Sequence, residues 1–441
     1  MFSIARPRVT IVFILAAILL VACEAADATP TPRPTRTPRP ATATSVPTPT
    51  LELVELTDTP SPTVATPDAP GATSAQPTPR PAAPQNPQVV PANDPLIPVF
   101  GPFPPKPIPS RPANVNPLTG LVADPAALAR RPIVARIGND QIVRTSFWHA
   151  GLSAADLVFE ELIDILGNAY AHTRYSAVFL SNDPPLIGPI RSGRLINLQI
   201  APMLDGALVH AGASNGTRWI FSQTPMINLD EYFNMPAYCY NKTHGYQGRL
   251  YATGPRLREW LRSKGWEKAV PLYGFTFSDR APSGQPATQI GITQLPWPSW
   301  SKVQWPYDAG SGKYSRVTTG APHMDNAYTV TAKWGSGADC VITGSETRTQ
   351  IRATNVVVLY ARHDKTQIIE DSNNAVSVYI ALTGQGDAQI FRDGVVVHGK
   401  WQRKSEQEFF EFVDASGNII PLKPGNTWFE IVPIGYPVDV R

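Results

Sequence analysis

The stretch LVFEEL at residues 157–162 decides the fold class of the first folded part, because an apolar run of this length predicts a buried strand. Three further runs of similar character lie at residues 132–137, 173–180 and 206–211. Between the last two, residues 193–203 predict a helix that has Ser192 as its N-cap. Strands that alternate with helices are typical of an α/β-type domain, which we assign to residues 114–270.

Residues 271–441 follow a different pattern, in which short apolar runs are separated by Gly, Pro, Asn and Asp. Asp393-Gly394 lies between the apolar runs 389–391 and 395–397, and this arrangement predicts a β-hairpin. A second hairpin is predicted around residues 415–418. We therefore predict a mostly antiparallel β domain in this part, and an α+β class for the two parts together.

The N-terminus has the layout of a secretory signal, with two arginines followed by an apolar run at 10–20 that is short for a membrane span. Because the run LVAC at 20–23 resembles a lipobox, residues 1–23 are similar to a bacterial lipoprotein signal. This resemblance implies that Cys23 is the lipidated first residue of the mature protein. The rest of the chain is then expected to be extracytoplasmic and anchored to the cell membrane by lipid. The alternative, an uncleaved anchor helix, also places the rest of the chain outside.

Residues 24–113 form a Pro/Thr-rich segment, which contains more than half of the 47 prolines of the chain. Such a composition cannot bury a core and leaves few backbone donors for helix or sheet. We predict a disordered, extended tether between the lipid and the folded part.

The charge balance and the cysteine pattern exclude several classes of protein. With 38 Lys and Arg against 35 Asp and Glu, the chain has no charge excess that would favour nucleic acid. No Cys/His cluster has zinc spacing, and no nucleotide-binding fingerprint occurs, so we expect no metal and no cofactor. Cys239 and Cys340 can form one disulfide, although the absence of a spacing motif favours two buried thiols.

The sharpest chemical feature is the run RSGR at residues 191–194. If a helix starts here, Arg191 and Arg194 lie on one face beside free backbone N–H groups, and both features favour an anion. Together with Ser192 and Arg174, they form the predicted ligand-binding set for phosphate or carboxylate. The alternative is an ion-pair network that only stabilises the fold, formed with Asp156, Glu160 or Glu161.

The sequence leaves open whether the chain is an enzyme. The run GASNG at 212–216 follows an apolar strand and fits the Gly-x-Ser-x-Gly pattern of a nucleophile elbow, which makes Ser214 a candidate nucleophile. His210 and His244 are candidate bases, and Glu160 is a candidate acid–base carboxylate. Because no Asp and His follow with the usual hydrolase spacing, the glycines can instead shape a strand-exit loop.

Several short motifs occur in a fixed order along residues 114–441. In the first part they are NPLTG at 116–120, GLSAAD at 151–156, IGPIRSGR at 187–194 and HAGAS at 210–214. In the second part they are WPYD at 305–308, HMD at 323–325, NVVV at 355–358 and PGNTW at 424–428. In order and spacing these motifs resemble those of the YerB-like bacterial lipoprotein family. The resemblance implies a two-part extracytoplasmic lipoprotein whose biochemical function is not established. The chain departs from the family's Pro-His-Asn stretch at 243–245, where it keeps His244 but not the Asn.

The sequence thus favours a lipid-anchored protein that binds an anionic cell-envelope polymer or glycan at an arginine-lined cleft. Two alternatives stay open. One is an envelope hydrolase or transferase that uses Ser214 or a His/Glu pair, and the other is a protein-docking scaffold of the cell envelope. The expected partners are the membrane, through lipid on Cys23, and either an anionic polymer or another envelope protein.

Overall fold

The structure is a computed structural model that describes residues 109–332 and 338–441. The predicted signal segment with Cys23, and the predicted tether as far as residue 108, lie outside the described residues.

The described residues contain five α-helices, which are α1 (Pro125–Leu128), α2 (Gln141–Thr145), α3 (Asn197–Met203), α4 (Asn215–Ser222) and α5 (Gly254–Ser263). The strands of the first part are β1 (Ile133–Gly138), β2 (Leu157–Leu166), β3 (Ala169–Phe179), β4 (Ala207–His210), β5 (Ile227–Asp230), β6 (Tyr238–Tyr240) and β7 (Leu250–Ala252). The strands of the second part are β8 (Gln285–Pro286), β9 (Gln289–Ile292), β10 (Val303–Asp308), β11 (Lys313–Ser315), β12 (Val317–Thr318), β13 (Ala321–Pro322), β14 (Met324–Ala332), β15 (Cys340–Gln350), β16 (Arg352–Ala353), β17 (Asn355–Ile369), β18 (Val376–Ala381), β19 (Gly384–Arg392), β20 (Val395–Arg403), β21 (Glu411–Val413), β22 (Thr427–Pro433) and β23 (Asp439–Val440).

A 12-stranded sheet dominates the fold, and it has the order β21-β20-β19-β17-β18-β2-β3-β1-β4-β5 with β8 and β22 attached. β22 pairs in parallel with both β2 and β17, so it joins strands of the two predicted parts. Phe159 of β2 stacks on Phe429 of β22 with ring centroids 4.5 Å apart. The two parts therefore share one continuous sheet and the apolar core against it.

Both faces of this sheet are covered around β1, β2 and β4, which explains why these strands are buried along almost their whole length. The outer strand β20 instead alternates between buried and more exposed residues. One face packs against α3, α4 and a group of phenylalanines from the second part. The other face packs against α5 and a smaller, seven-stranded sheet built from β9–β13, β16 and β23. Helices therefore lie on both faces of the β3-β1-β4-β5 half.

The structure confirms that the second part is β-rich. The predicted hairpin is formed by β19 and β20, and Arg392 pairs with Val395 across the turn. Asp393 and Gly394 both have positive φ in that turn, as the Asp-Gly signal requires. The parallel placement of β22 departs from the antiparallel pattern that was predicted for this part.

A disulfide joins Cys239 of β6 to Cys340 of β15 across 101 residues, so the expectation of two free thiols was wrong. The pairing follows from the hairpin β14–β15, which packs against the first part through Ala150 and Tyr240. Tertiary packing of this kind leaves no local spacing signal in the sequence.

Candidate functional site

Three parallel strands end at one edge of the large sheet. β1, β4 and β5 pair in parallel, so their last residues, Gly138, His210 and Asp230, lie at the same edge. β3 runs antiparallel to β1 and places Arg174 directly opposite Gly138. The carboxyl ends of parallel strands are a common place for ligands in sheets that have helices on both faces.

We call the group of Arg174, Arg191, Ser192 and Arg194 at this edge the arginine edge. Two backbone hydrogen bonds join it to the loop after β4. Gly193 N donates to Gly212 O at 2.8 Å, and Ala211 N donates to Arg191 O at 3.0 Å. The structure thus brings the four predicted ligand-binding residues together with His210 and Ser214.

Arg174 is almost completely buried, with 7 % of its surface exposed, yet it forms no ion pair with a described residue. Its Nη1 donates to Ser192 O at 2.9 Å. Its cross-strand partner Glu161 binds Arg136 instead. Burial lowers the pKa of Arg174 well below its usual range, and the neighbouring arginines lower it further. The charge of Asp164 acts in the opposite direction without forming an ion pair, and a bound anion would stabilise the cation further.

Arg191 lies nearer the surface, with 15 % of its side chain exposed. Its Nε is 3.5 Å from Asp140 Oδ2, which is a loose ion pair. Its guanidinium carbon lies 5.3 Å from the ring centroid of Tyr246, and that of Arg249 lies 5.2 Å from the same centroid. Tyr246 is 69 % exposed, so an aromatic ring between two cations forms the rim of the arginine edge.

Arg194 forms buried ion pairs with two acidic residues of the fold. Its Nε and Nη2 donate to the two carboxylate oxygens of Asp164 at 2.6 Å, and its Nη1 is 3.5 Å from Glu370. Although burial alone would lower the pKa of Arg194, the charges of Asp164 and Glu370 raise it above its ordinary value. The alternative of a fold-stabilising ion pair therefore applies to Arg194. Its partners differ from the acids considered in the sequence, which were Asp156, Glu160 and Glu161.

The helix that follows the arginines starts later than predicted. α3 begins at Asn197 with Ile196 at its N-cap, so Ser192 does not cap it and neither arginine belongs to it. Residues 190–193 instead hydrogen-bond to neighbouring strands as extended chain. The hydroxyl of Ser192 donates to Ala211 O at 3.3 Å. Any anion affinity at this edge therefore depends on the arginine side chains rather than on a helix N-terminus.

Ser214 lies in the strand–turn–helix context that was predicted, but as the N-cap of α4. Its Oγ accepts a hydrogen bond from Thr217 N at 3.3 Å. His210 is fully buried, and its Nδ1 and Nε2 lie against Gly212 O and Asn228 Oδ1. Burial lowers the pKa of His210. Among the described residues, no base contacts the Ser214 hydroxyl.

His244 lies in the loop that carries Tyr246. Its ring stacks on Trp148 with centroids 4.3 Å apart. Its Nδ1 lies 3.0 Å from Gly248 O and 3.1 Å from Tyr251 Oη. Burial lowers the pKa of His244, and its contacts fix the loop against the body of the protein.

Glu160 and Glu161 are successive residues of β2, so their side chains lie on opposite faces of the sheet. Glu161 pairs with Arg174 across the strands, and Glu160 therefore lies on the face away from Arg174. Its Oε2 accepts from Arg316 Nη2 at 2.5 Å, and Arg316 Nη1 donates to Glu430 Oε1 at 3.0 Å. All three side chains are 0 % exposed. These contacts assign Glu160 to the interior of the fold and not to a site that a substrate reaches.

We call Arg316, Glu160 and Glu430 the buried triad, which sequence reasoning missed. The guanidinium carbon of Arg316 lies 4.4 Å from the ring centroid of Trp428. Its Nε donates to His323 Nδ1 at 3.0 Å, and His323 Nε2 is 2.8 Å from His149 Nδ1. The one available signal was the presence of charged residues inside apolar strands, such as the EE pair of LVFEEL.

Two further findings concern residues 109–332 and 338–441. No group of three or more His, Cys, Asp or Glu side chains comes together there as a metal site. Of the helices in the same residues, none combines the length and apolar character that a membrane span needs.

Fold and site together define a mostly β protein in which one edge of a large mixed sheet carries a cluster of arginines. The class of protein is then given by two profiles of one family. "Protein of unknown function (DUF3048) N-terminal domain" matches residues 118–267, and the C-terminal domain of the same family matches residues 293–429. The chain belongs to this family, as its resemblance to the YerB-like lipoproteins indicated.

One relative and one solved structure match over most of the chain. "Putative lipoprotein YerB" of Bacillus subtilis is 24 % identical over 331 residues, which are 72 % of this chain and 86 % of the relative. The crystal structure of the YerB protein from Bacillus subtilis has a TM-score of 0.56 and 21 % identity, and the match covers 74 % of this chain and 98 % of that one. The structural likeness supports the fold.

Proposed function

We propose that this protein is a lipid-anchored, extracytoplasmic protein that binds an anionic cell-envelope polymer or glycan at the arginine edge. The observation that carries the proposal is Arg174, a cation that is almost buried and has no carboxylate partner among the described residues. Leaving such a group uncompensated is costly, and a phosphate or carboxylate that reaches it removes the cost.

Arg191 and Tyr246 indicate how a polymer would approach Arg174. Arg191 has only a loose contact with Asp140, so it is available to a second anionic group at the surface. The exposed ring of Tyr246 can stack on a sugar ring, as aromatic side chains at the rim of a binding site often do. This combination favours a repeating anionic chain over a single small ion.

The lipid anchor rests on the sequence of residues 1–23 and on the relative whose name designates it a lipoprotein. With Cys23 lipidated, the tether would hold the arginine edge at a distance from the membrane surface. A polymer of the envelope would then be within reach of a protein that stays attached to the membrane.

The test uses the full chain in detergent micelles with oligomers of glycerol phosphate. We expect these anionic oligomers to raise the thermal unfolding temperature of the native protein and to have no effect on a folded Arg174→Gln/Arg191→Gln variant. Arg362→Gln is the matched control, because Arg362 is 59 % exposed and lies elsewhere on the sheet. An equal rise in the double variant would refute a site at the arginine edge.

A docking scaffold is the second candidate function, because Tyr232 and Phe233 are 72 % and 71 % exposed and lie in edge-to-face contact. Large exposed aromatic residues of this kind often mark a protein contact. Site-specific photo-crosslinking in cells from position 233 tests this function. A specific crosslinked partner that is lost when Tyr232→Ser is added to the same chain would support docking. The enzyme alternative has no comparable support from the contacts of Ser214.

A further inference from the structure

A cleft of about 700 Å³ lies beside the start of β2. The turn between β2 and β3 is at the other end of this strand. The walls of the cleft come from residues 116–124, from the loops that precede β2, β17 and β22, and from the loop that follows β3. Residues of β11, β15 and β16 complete the lining. The size of the cleft lies within the range of small-ligand sites. We call it the polar cleft; its polar and charged lining includes Ser153, Asn182, Lys313, Arg352, Thr354 and Asn426.

The walls of the polar cleft are fixed by internal hydrogen bonds. Asp156 accepts from Asn116 Nδ2 at 2.8 Å and from Ser181 Oγ at 2.6 Å. These bonds join the loop before β2 to residues 116–124 and to the loop after β3. Gly425 N donates to Thr119 O at 2.7 Å, which joins the loop before β22 to residues 116–124. A cleft that is held open in this way requires little reorganisation when a ligand binds.

At Gly425, the loop before β22 packs closely against Thr354. The φ of Gly425 is +146°, and a Cβ at this position would lie 2.2 Å from Thr354 Oγ1. The backbone of the loop can therefore approach Thr354 this closely only because residue 425 has no side chain.

The chemistry of the lining points to a hydroxyl-rich ligand with negative charge. The side chains of Ser153, Asn182 and Asn426 line the cleft. Asn182 Nδ2 donates to Ala154 O and Asn426 Nδ2 donates to Arg352 O, so each amide keeps one N–H that can donate to a sugar hydroxyl. Lys313 also lines it and forms no ion pair with a described residue. Arg352 has only an exposed contact with Asp308 at 3.3 Å, so its charge is also available.

The polar cleft is a different site from the arginine edge. Arg174 pairs with Glu161, which is five residues along β2 from Asp156 at the floor of the cleft. At the rise of an extended strand, this separation is about 17 Å. One sugar unit cannot contact both places.

We propose that the polar cleft is a binding site for a short acidic oligosaccharide, in which Lys313 and Arg352 contact the acidic groups and the amide and hydroxyl side chains contact the sugar hydroxyls. This assignment does not depend on the arginine edge, because it uses different residues.

The test measures binding of trigalacturonic acid and of neutral chitotriose to the full chain in detergent micelles by isothermal titration calorimetry. We expect trigalacturonic acid to bind and chitotriose to bind at least tenfold more weakly. Lys313→Gln should weaken trigalacturonic acid about tenfold, the effect of losing one hydrogen bond to a charged group. Asn182→Tyr places a ring in the mouth of the cleft and should abolish binding. If Asn182→Tyr does not fold, Lys313→Gln alone decides.

Two controls separate this site from others. Lys302→Gln removes an exposed lysine of the same part and should leave the affinity unchanged. Arg191→Gln should also leave it unchanged, whereas loss of affinity in Arg191→Gln alone would assign the sugar to the arginine edge and overturn the proposal. Absence of binding by the native protein, equal affinity for both sugars, or unchanged affinity in Lys313→Gln and a folded Asn182→Tyr would each overturn it as well.

Discussion

Replacing Arg316 by Met should destabilise the protein by about 3–5 kcal/mol, which is the usual effect of removing one partner of a buried ion pair. Arg316 is 0 % exposed and contacts the carboxyl groups of Glu160 and Glu430, which are also 0 % exposed. A methionine fills much of the volume but leaves both acids without a cation. The expected loss is a large fraction of the stability of a typical domain, about 5–15 kcal/mol.

Urea unfolding of the full chain, followed by tryptophan fluorescence, measures this loss. The matched control is Arg348→Gln, because Arg348 pairs with Glu346 at the surface, where the two side chains are 45 % and 31 % exposed. An exposed pair contributes little, so the control should change the free energy of unfolding by less than about 1 kcal/mol.

The pH dependence and a compensating variant test the cause. Burial and the neighbouring charge of Glu160 already raise the pKa of Glu430. Without Arg316 both acids should be protonated in the folded state, so the destabilisation should shrink as pH falls towards about 4.3, the pKa of Glu in the unfolded state.

Adding Glu160→Gln and Glu430→Gln to Arg316→Met should restore part of the stability. A loss below about 1 kcal/mol at pH 7, or no recovery in the triple variant, would refute the reasoning.

Three further predictions concern other parts of the fold. Replacing Cys239 and Cys340 by Ala should lower the free energy of unfolding in urea by about 2–5 kcal/mol, because their bond closes a long loop; equal midpoints with and without the bond would contradict this. Burial lowers the pKa of His149 to about 3, so folding stability should fall as pH drops below about 6.5, where only the unfolded state takes up this proton. In His149→Asn the corresponding part of the slope, up to about 1.4 kcal/mol per pH unit, should be missing from urea unfolding curves measured between pH 4 and 6.5. Gly425→Ala should lower the thermal unfolding temperature, because its Cβ would clash with Thr354, and an unchanged temperature would show that this loop can move.

Local signals predicted most of the strands of the first part. The run 157–162 lies within β2, and the run 206–211 contains β4. The Asp393-Gly394 turn was equally clear, because positive φ at two successive positions strongly favours these residues. Signals of this kind depend on a few neighbouring residues, which is why a single sequence contains them.

Long-range pairing left no comparable signal. β22 follows β2 by more than 250 residues, yet pairs with it in parallel. The disulfide between Cys239 and Cys340 depends in the same way on a hairpin that folds back onto the first part. The predicted start of α3 failed for a related reason, since residues 190–193 pair with neighbouring strands before the helix can begin.

The residues of the arginine edge could be named from the sequence, but their separate roles could not. Arg194 and Arg174 are both almost buried, and no local pattern of residues distinguishes them. Only the fold shows that Asp164 and Glu370 form ion pairs with Arg194. It also shows that Glu161, the cross-strand partner of Arg174, forms its ion pair with Arg136. The roles of the arginines are therefore decided by side chains that are distant in the chain.

A buried arginine does not need a carboxylate if backbone carbonyls accept its N–H groups, and Arg403 illustrates this. Arg403 is 1 % exposed and donates to four backbone carbonyls, those of residues 199, 382, 406 and 408. Arg174 is buried to a similar degree but donates to one described acceptor, the carbonyl of Ser192. Because a guanidinium carries five N–H donors, the difference between these two arginines lies in unused hydrogen-bonding capacity at the sheet edge. The remaining donors of Arg174 reach solvent at this edge, and an anionic ligand would be a partner that they fit.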